Sequence, residues 1–107
     1  MLRLSVRHVH PDQVDHLRWW MQQLQRDRRV EAEATLVDET VDHERAVLVE
    51  VGGRHLLVYA MEVRDADQAR RSADSGTHPI DAEHQAVLAR VLADGPIEEV
   101  LLDLTPG

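Results

Sequence analysis

Residues 41–63, "VDHERAVLVEVGGRHLLVYAMEV", are two runs of β-branched and aliphatic residues on either side of Gly52-Gly53. Paired glycines between such runs predict a two-residue β-hairpin, because the primed turn that matches strand twist needs positive φ at both central positions. The turn sets the register outward: Val51 lies opposite Arg54, Glu50 opposite His55 and, by the same count, His43 opposite Glu62. One face then holds His43, Arg45, Val47, Val49 and Val51 with Arg54, Leu56, Val58, Ala60 and Glu62. The other holds Glu44, Ala46, Leu48 and Glu50 with His55, Leu57, Tyr59 and Met61. Both faces are rich enough in apolar residues to require cover.

The flanking segments supply the remaining elements. "MLRLSVRHV" (1–9) alternates, with Leu2, Leu4 and Val6 on one side and Arg3, Ser5 and Arg7 on the other, which predicts a strand. Pro11 and Asp12 form a turn and N-cap for a long helix whose stripe is Val14, Leu17, Met21 and Leu24, with Trp20 beside it. The same spacing then meets Arg28, Glu31 and Thr35, while the apolar residues shift to Val30, Ala34 and Val37. The helix is expected to run to about Glu39, leaving the core near Arg28 or turning polar groups toward a ligand. A short helix opens at Asp65 or Asp67 and stops at Gly76; another runs from about Asp81 to Asp94 and ends at Gly95-Pro96. "IEEVLLDL" (97–104) predicts a last strand, with Val100, Leu102 and Leu104 on one face.

This order predicts one α+β domain over residues 1–107: a ferredoxin-like βαββαβ protomer with a four-stranded antiparallel sheet, spatial order 4-1-3-2, and an interrupted second helical segment. The helices are expected on the aliphatic face of Val47, Val49, Val51, Leu56 and Val58. The first and third strands are read as parallel neighbours, which brings His8 and His10 near Glu62.

Composition narrows the classes of function. The chain has 107 residues, a net charge of -8 and no cysteine, which excludes disulfides, thiol nucleophiles and the usual zinc-finger spacings. The acidic balance argues against a nucleic-acid partner. No segment approaches a membrane span and no apolar signal region opens the chain, so a cytoplasmic location is expected. No phosphate-cradling glycine loop and no nucleophile elbow occur.

The densest polar stretch is "THPIDAEH" (77–84). Much of it is helix-start chemistry: Pro79 disfavours helix at His78, Asp81 can cap, and Glu83 complements the dipole. His84 departs from that pattern, since it shares the stripe of Ile80, Val87 or Leu88, and Val91 and therefore turns inward. In the expected sheet, His84 and Arg28 approach Glu62 and His43, and a carboxylate beside an imidazole is the minimal acid/base pair. Tyr59, on the second face, can donate a hydrogen bond if it lines a cavity. His8, His10 and Glu62 form an alternative three-ligand metal site, but no metal is assigned.

In "HPDQVDHLRWWMQQL", "LLVYAMEV" and above all "THPIDAEH", the chain resembles a family of small proteins known only as a domain of unknown function. That family looks like a branch of the dimeric α+β barrel superfamily, which includes antibiotic-biosynthesis-type monooxygenases, sugar mutarotases and haem-degrading enzymes. The resemblance implies a ferredoxin-like protomer whose uncovered sheet face packs on a twin, and it carries His78, Asp81, His84 and Glu62 forward as pattern positions. Together these readings predict a homodimeric small-molecule enzyme of isomerase, cyclase or cofactor-independent oxygenase type, with no organic cofactor. His84 or His78 would transfer a proton, Glu62 would orient it, and Arg28 would hold an anionic group, with His43 and Tyr59 also binding substrate. A non-catalytic dimeric binding module is the competing expectation.

Overall fold

Gly52 and Gly53 adopt φ values of 57° and 78° in the computed structural model, which describes all 107 residues. The hairpin they close has the register expected from the sequence, with Val51 opposite Arg54, Glu50 opposite His55 and His43 opposite Glu62. Around it the chain forms β1 (Leu2–His8), α1 (Val14–Gln25), α2 (Arg29–Asp38), β2 (Val41–Val51), β3 (Arg54–Val63), α3 (Ala66–Ser75) and α4 (Pro79–Val91). A single 3-10 turn, Pro11–Gln13, leads into α1. Asp65 caps α3 by accepting from the Gln68 amide, and Gly76 ends it in the left-handed region, as the sequence predicts.

The sheet has three antiparallel strands in the order β1-β3-β2, so the architecture is α+β but the expected four-stranded ferredoxin-like sheet is not formed. Residues 97–104 make no ladder. After α4 the chain does enter the slot beside β1: Val9 bridges Leu92, the Ala93 amide donates to the His8 carbonyl, and the Ile97 amide donates to the Val6 carbonyl. Between those contacts Gly95 takes φ 67° and Pro96 has no amide to donate. The Glu98 carboxylate then accepts from the Val6 amide at 3.2 Å, occupying the donor that a further ladder bond would use. Pairing stops there.

β1 is antiparallel to β3, with Leu2 opposite Glu62 and His8 opposite Leu56. The helical crossover returns the chain so that β2 runs with β1, and the hairpin reverses β3 between them. His8 and Glu62 therefore sit at opposite ends of the pair, about 20 Å apart by strand rise.

The helices cover the face opposite to the one expected. Leu48, Leu57 and Tyr59 pack with Val14, Leu17, Val87, Leu88 and Val91 of α1 and α4, while Met61, Val41 and Val63 meet Leu36 and Ala69 of α2 and α3. The larger side chains of this face reach the helix layer, whereas the shorter valines of the other face remain open. The interior is small: only 12 of 107 residues are buried, so the open face withholds much of the apolar surface that a core would use.

Two helix boundaries also differ from the periodicity. The long helix breaks at Arg26, whose backbone leaves the helical region at φ -122°, ψ -86°, and the phase shift noted at Arg28 marks that break. The new direction of α2 buries Thr35 and half-buries Ala32 and Leu36, leaving Val30 and Val37 in solvent. α4 starts at Pro79 rather than Asp81, because proline at the first helical position loses no bond the helix needs; His78 is the N-cap residue.

Candidate functional site

Polar residues take helix-side positions on the two outer strands. Arg3, Ser5 and Arg7 of β1 lie opposite Met61, Tyr59 and Leu57, and Glu44 of β2 lies opposite Met61 from the other side. Where they replace apolar residues the layer does not close. The result is a cavity of about 750 Å³, lined among others by Ser5, Arg7, Glu39, Glu44, Tyr59, Asp81 and His84. That volume is within the range of small-molecule sites.

A relay of hydrogen bonds crosses the cavity wall. The buried Trp20 of α1 donates its indole N–H to Nδ1 of His84 at 2.9 Å. Indole only donates, so Nδ1 holds a lone pair and neutral His84 carries its proton on Nε2. Nε2 faces the Tyr59 hydroxyl oxygen across a long 3.4 Å contact and donates to it. The Tyr59 proton is thereby left for the cavity. Burial lowers the His84 pKa, with Asp81 opposing the shift, so the ring is neutral at pH 7. A proton on Nδ1 would point at the indole N–H. His84 is thus a fixed neutral donor, not a free base.

Arg28 braces this relay from outside. Its guanidinium lies 5.7 Å from the Trp20 ring centre and is hydrogen-bonded to Glu31 and Glu83, whose carboxyl pKa values it lowers. With both partners engaged, it serves packing between α1, α2 and α4.

The acidic end of the cavity has the opposite electrostatics. Burial, then the charges of Glu39 and Asp81, pushes the Glu44 carboxyl up to about 7. Glu39 is raised as well, first by burial and then by Asp81. Three part-buried carboxyls crowd one region, and Glu44, the one pushed up furthest, retains its proton to near neutral pH. The cations in the lining are occupied: Arg7 donates to the Ala93 carbonyl and Arg29 to Glu33.

Of the residues predicted from sequence, Tyr59, Asp81 and His84 line this cavity together. Glu62 and His43 lie on the open face, and the Glu62 carboxylate accepts from the N-terminal amine at 3.1 Å. His78 pairs with Asp38 and ties the start of α4 to the end of α2, outside the cavity. The alternative metal site is split, because antiparallel β1 carries His8 and His10 away from Glu62. No three metal-ligating side chains converge anywhere in the chain. Sequence reasoning passed over Glu39, Glu44 and Trp20. The hairpin register had already put Glu44 on the face of Tyr59, and a charged residue pointing inward there was the signal available.

No helix is long and apolar enough to cross a membrane. Among curated proteins none matches the chain. The model of a family of unknown function, DUF6176, matches residues 2–106. That match leaves out only the two terminal residues, and it includes every side chain of the cavity: the chain belongs to the DUF6176 family.

Proposed function

We propose that the cavity is an active site for acid/base chemistry on a neutral small molecule bearing a carbonyl or hydroxyl group. The observation that carries this reading is a half-buried carboxyl, Glu44, poised to exchange its proton near pH 7 in the same cavity as an oriented tyrosine hydroxyl. Ionised Glu44 takes a proton from the carbon beside the carbonyl. The C–H electron pair becomes a C=C bond, and the carbonyl π pair moves to oxygen, where the Tyr59 O–H stabilises it. In a β,γ-unsaturated carbonyl compound the enolate is conjugated, and return of the proton from Glu44 to the γ-carbon shifts the double bond and completes an isomerisation. In a dicarbonyl compound, attack of the enolate carbon on the second carbonyl carbon sends that carbonyl's π pair to oxygen, which takes the proton from Glu44, and gives a cyclisation. His84 and Trp20 orient Tyr59. Anionic substrates are disfavoured, because Glu33, Glu39, Glu44, Asp81 and Glu98 face only Arg7 and Arg29 in the lining.

The partner in this reading is a second copy of the chain, covering the open face of Leu4, Val6, Val47, Val49, Leu56 and Val58. A contiguous apolar sheet face of this kind is a marker of association.

Incubation with a panel of neutral ketones and aldehydes in deuterated water, followed by NMR, tests the chemistry. Deuterium should enter beside the carbonyl, at a rate that rises as pH passes about 7. Glu44→Gln should slow entry by about a hundredfold or more, with a smaller loss in Tyr59→Phe. No incorporation across the panel, or an unchanged rate in Glu44→Gln, rejects the mechanism and favours a binding module.

A further inference from the structure

The C-terminal segment is the least satisfied part of the molecule. Val100, Leu101, Leu102 and Leu104 are 75%, 86%, 74% and 78% exposed, in a chain whose core has only 12 buried residues. The segment forms neither helix nor strand, and its start is anchored: Ile97 donates to the Val6 carbonyl, and Glu98 accepts from the Val6 amide. Beyond Glu98 it leaves its own sheet. Val100, Leu102 and Leu104 recur at every second residue, the spacing that presents one apolar side to a surface.

The same chain has an unfilled surface of matching character. The open sheet face carries Leu2, Leu4, Val47 and Val51 at 63%, 50%, 38% and 59% exposure. Its Arg45 and Arg54 make no ion pair, and neither do Glu99 and Asp103 of the tail. Size bears on the choice as well. Strand rise and spacing give the three-stranded face roughly 400 Å² of flat area, a small contact for a stable homodimer, and two exposed apolar tails enlarge what two such faces bury.

We propose that residues 99–104 of each copy dock on the open aliphatic face of a second copy, so that the homodimer is held by reciprocal exchange of C-terminal tails. The inference rests on the assignment of a second copy to that face and adds the segment that secures it. Val100, Leu102 and Leu104 pack over Val47, Val49 and Val58 of the second copy, and the long Arg45 and Arg54 side chains of that face reach past the edges of the tail toward Glu99 and Asp103 on its outward side. A reciprocal contact of this kind closes as a two-fold dimer, with each open face and each tail used once.

Sedimentation of the full chain and of two variants, Leu102→Glu and Val47→Arg, tests it. Both positions are exposed in the protomer, so circular dichroism should show both variants folded. The unmodified chain should sediment at twice 12.2 kDa, and each variant alone should associate about tenfold more weakly or worse. An equimolar mixture of the variants should recover the dimer, because one tail and one face remain intact and the other pair becomes Glu against Arg. A monomeric unmodified chain overturns both the second copy and the tail exchange. Unmodified-like association of Leu102→Glu overturns the tail exchange alone and leaves the face contact. Failure of the mixture to recover, with both variants dissociated, overturns reciprocity.

Discussion

Glu44 ties the stability of the fold to pH through one side chain. The folded protein holds the Glu44 proton up to about pH 7, whereas the unfolded chain releases it near the ordinary 4.5. Between those values the folded state binds more protons, so stability falls as pH rises through the window. His84 acts in the opposite sense: its folded pKa lies below the ordinary 6.5, so its contribution is present above 6.5 and is lost as pH falls below it. Glu44→Gln should therefore stabilise the protein at pH 8 by about 1–2 kcal/mol, after allowance for partial solvent contact, and raise Tm by roughly 5 °C. At pH 4 it should do neither. Thermal unfolding at the two pH values checks this, and equal shifts at both would show that Glu44 is not the perturbed group. The residue was legible in part. Counting outward from Gly52-Gly53 puts Glu44 beside Tyr59, but no count within the hairpin says which face receives helices, and the many valines of the other face pointed the wrong way.

The cavity exists because elements from distant parts of the chain are pinned over that face. Trp20 links α1 to α4 through His84, and Arg28 links the start of α2 to α4 through Glu83. Trp20→Phe keeps most of the buried ring but leaves Nδ1 of His84 without its donor. The loss should be about 1–2 kcal/mol, one hydrogen bond plus an unsatisfied, mostly buried acceptor. More diagnostic is the imidazole itself: its nitrogen NMR shifts should report a single Nε2-protonated tautomer in the unmodified chain and a mixture in the variant. A mixture in both would remove Trp20 as the tautomer-setting residue. Local signals gave most element boundaries: the alternation of β1, the glycine pair, the Asp65 cap and the Gly76 stop each act within a few residues. The fourth strand failed for an equally local reason, since Gly95-Pro96 and the Glu98 side chain use up the edge of β1 before "VLLDL" reaches it. What no local signal carries is the direction of β1 against β3, which follows only from tracing the crossover.

At the scale of the whole molecule, the polar groups that open a cavity under the helices also thin the interior, and the apolar surface they displace appears on the opposite face. A protomer with 12 buried residues has little stability in reserve, and anything that binds only the folded form adds to it by mass action. When the ligand is a second copy, protein concentration becomes a stabilising variable. The apparent Tm should thus climb as the protein is concentrated, by several degrees per hundredfold once the dimer forms, because a hundredfold excess over the dissociation constant is worth about 2.7 kcal/mol. Val47→Arg, which places a charge on the open face, should flatten that dependence without lowering Tm in dilute solution. Scanning calorimetry over a dilution series separates the outcomes. A Tm independent of concentration in the unmodified chain means that the open face is stable in water as it stands, and then its valines and leucines have no role in assembly.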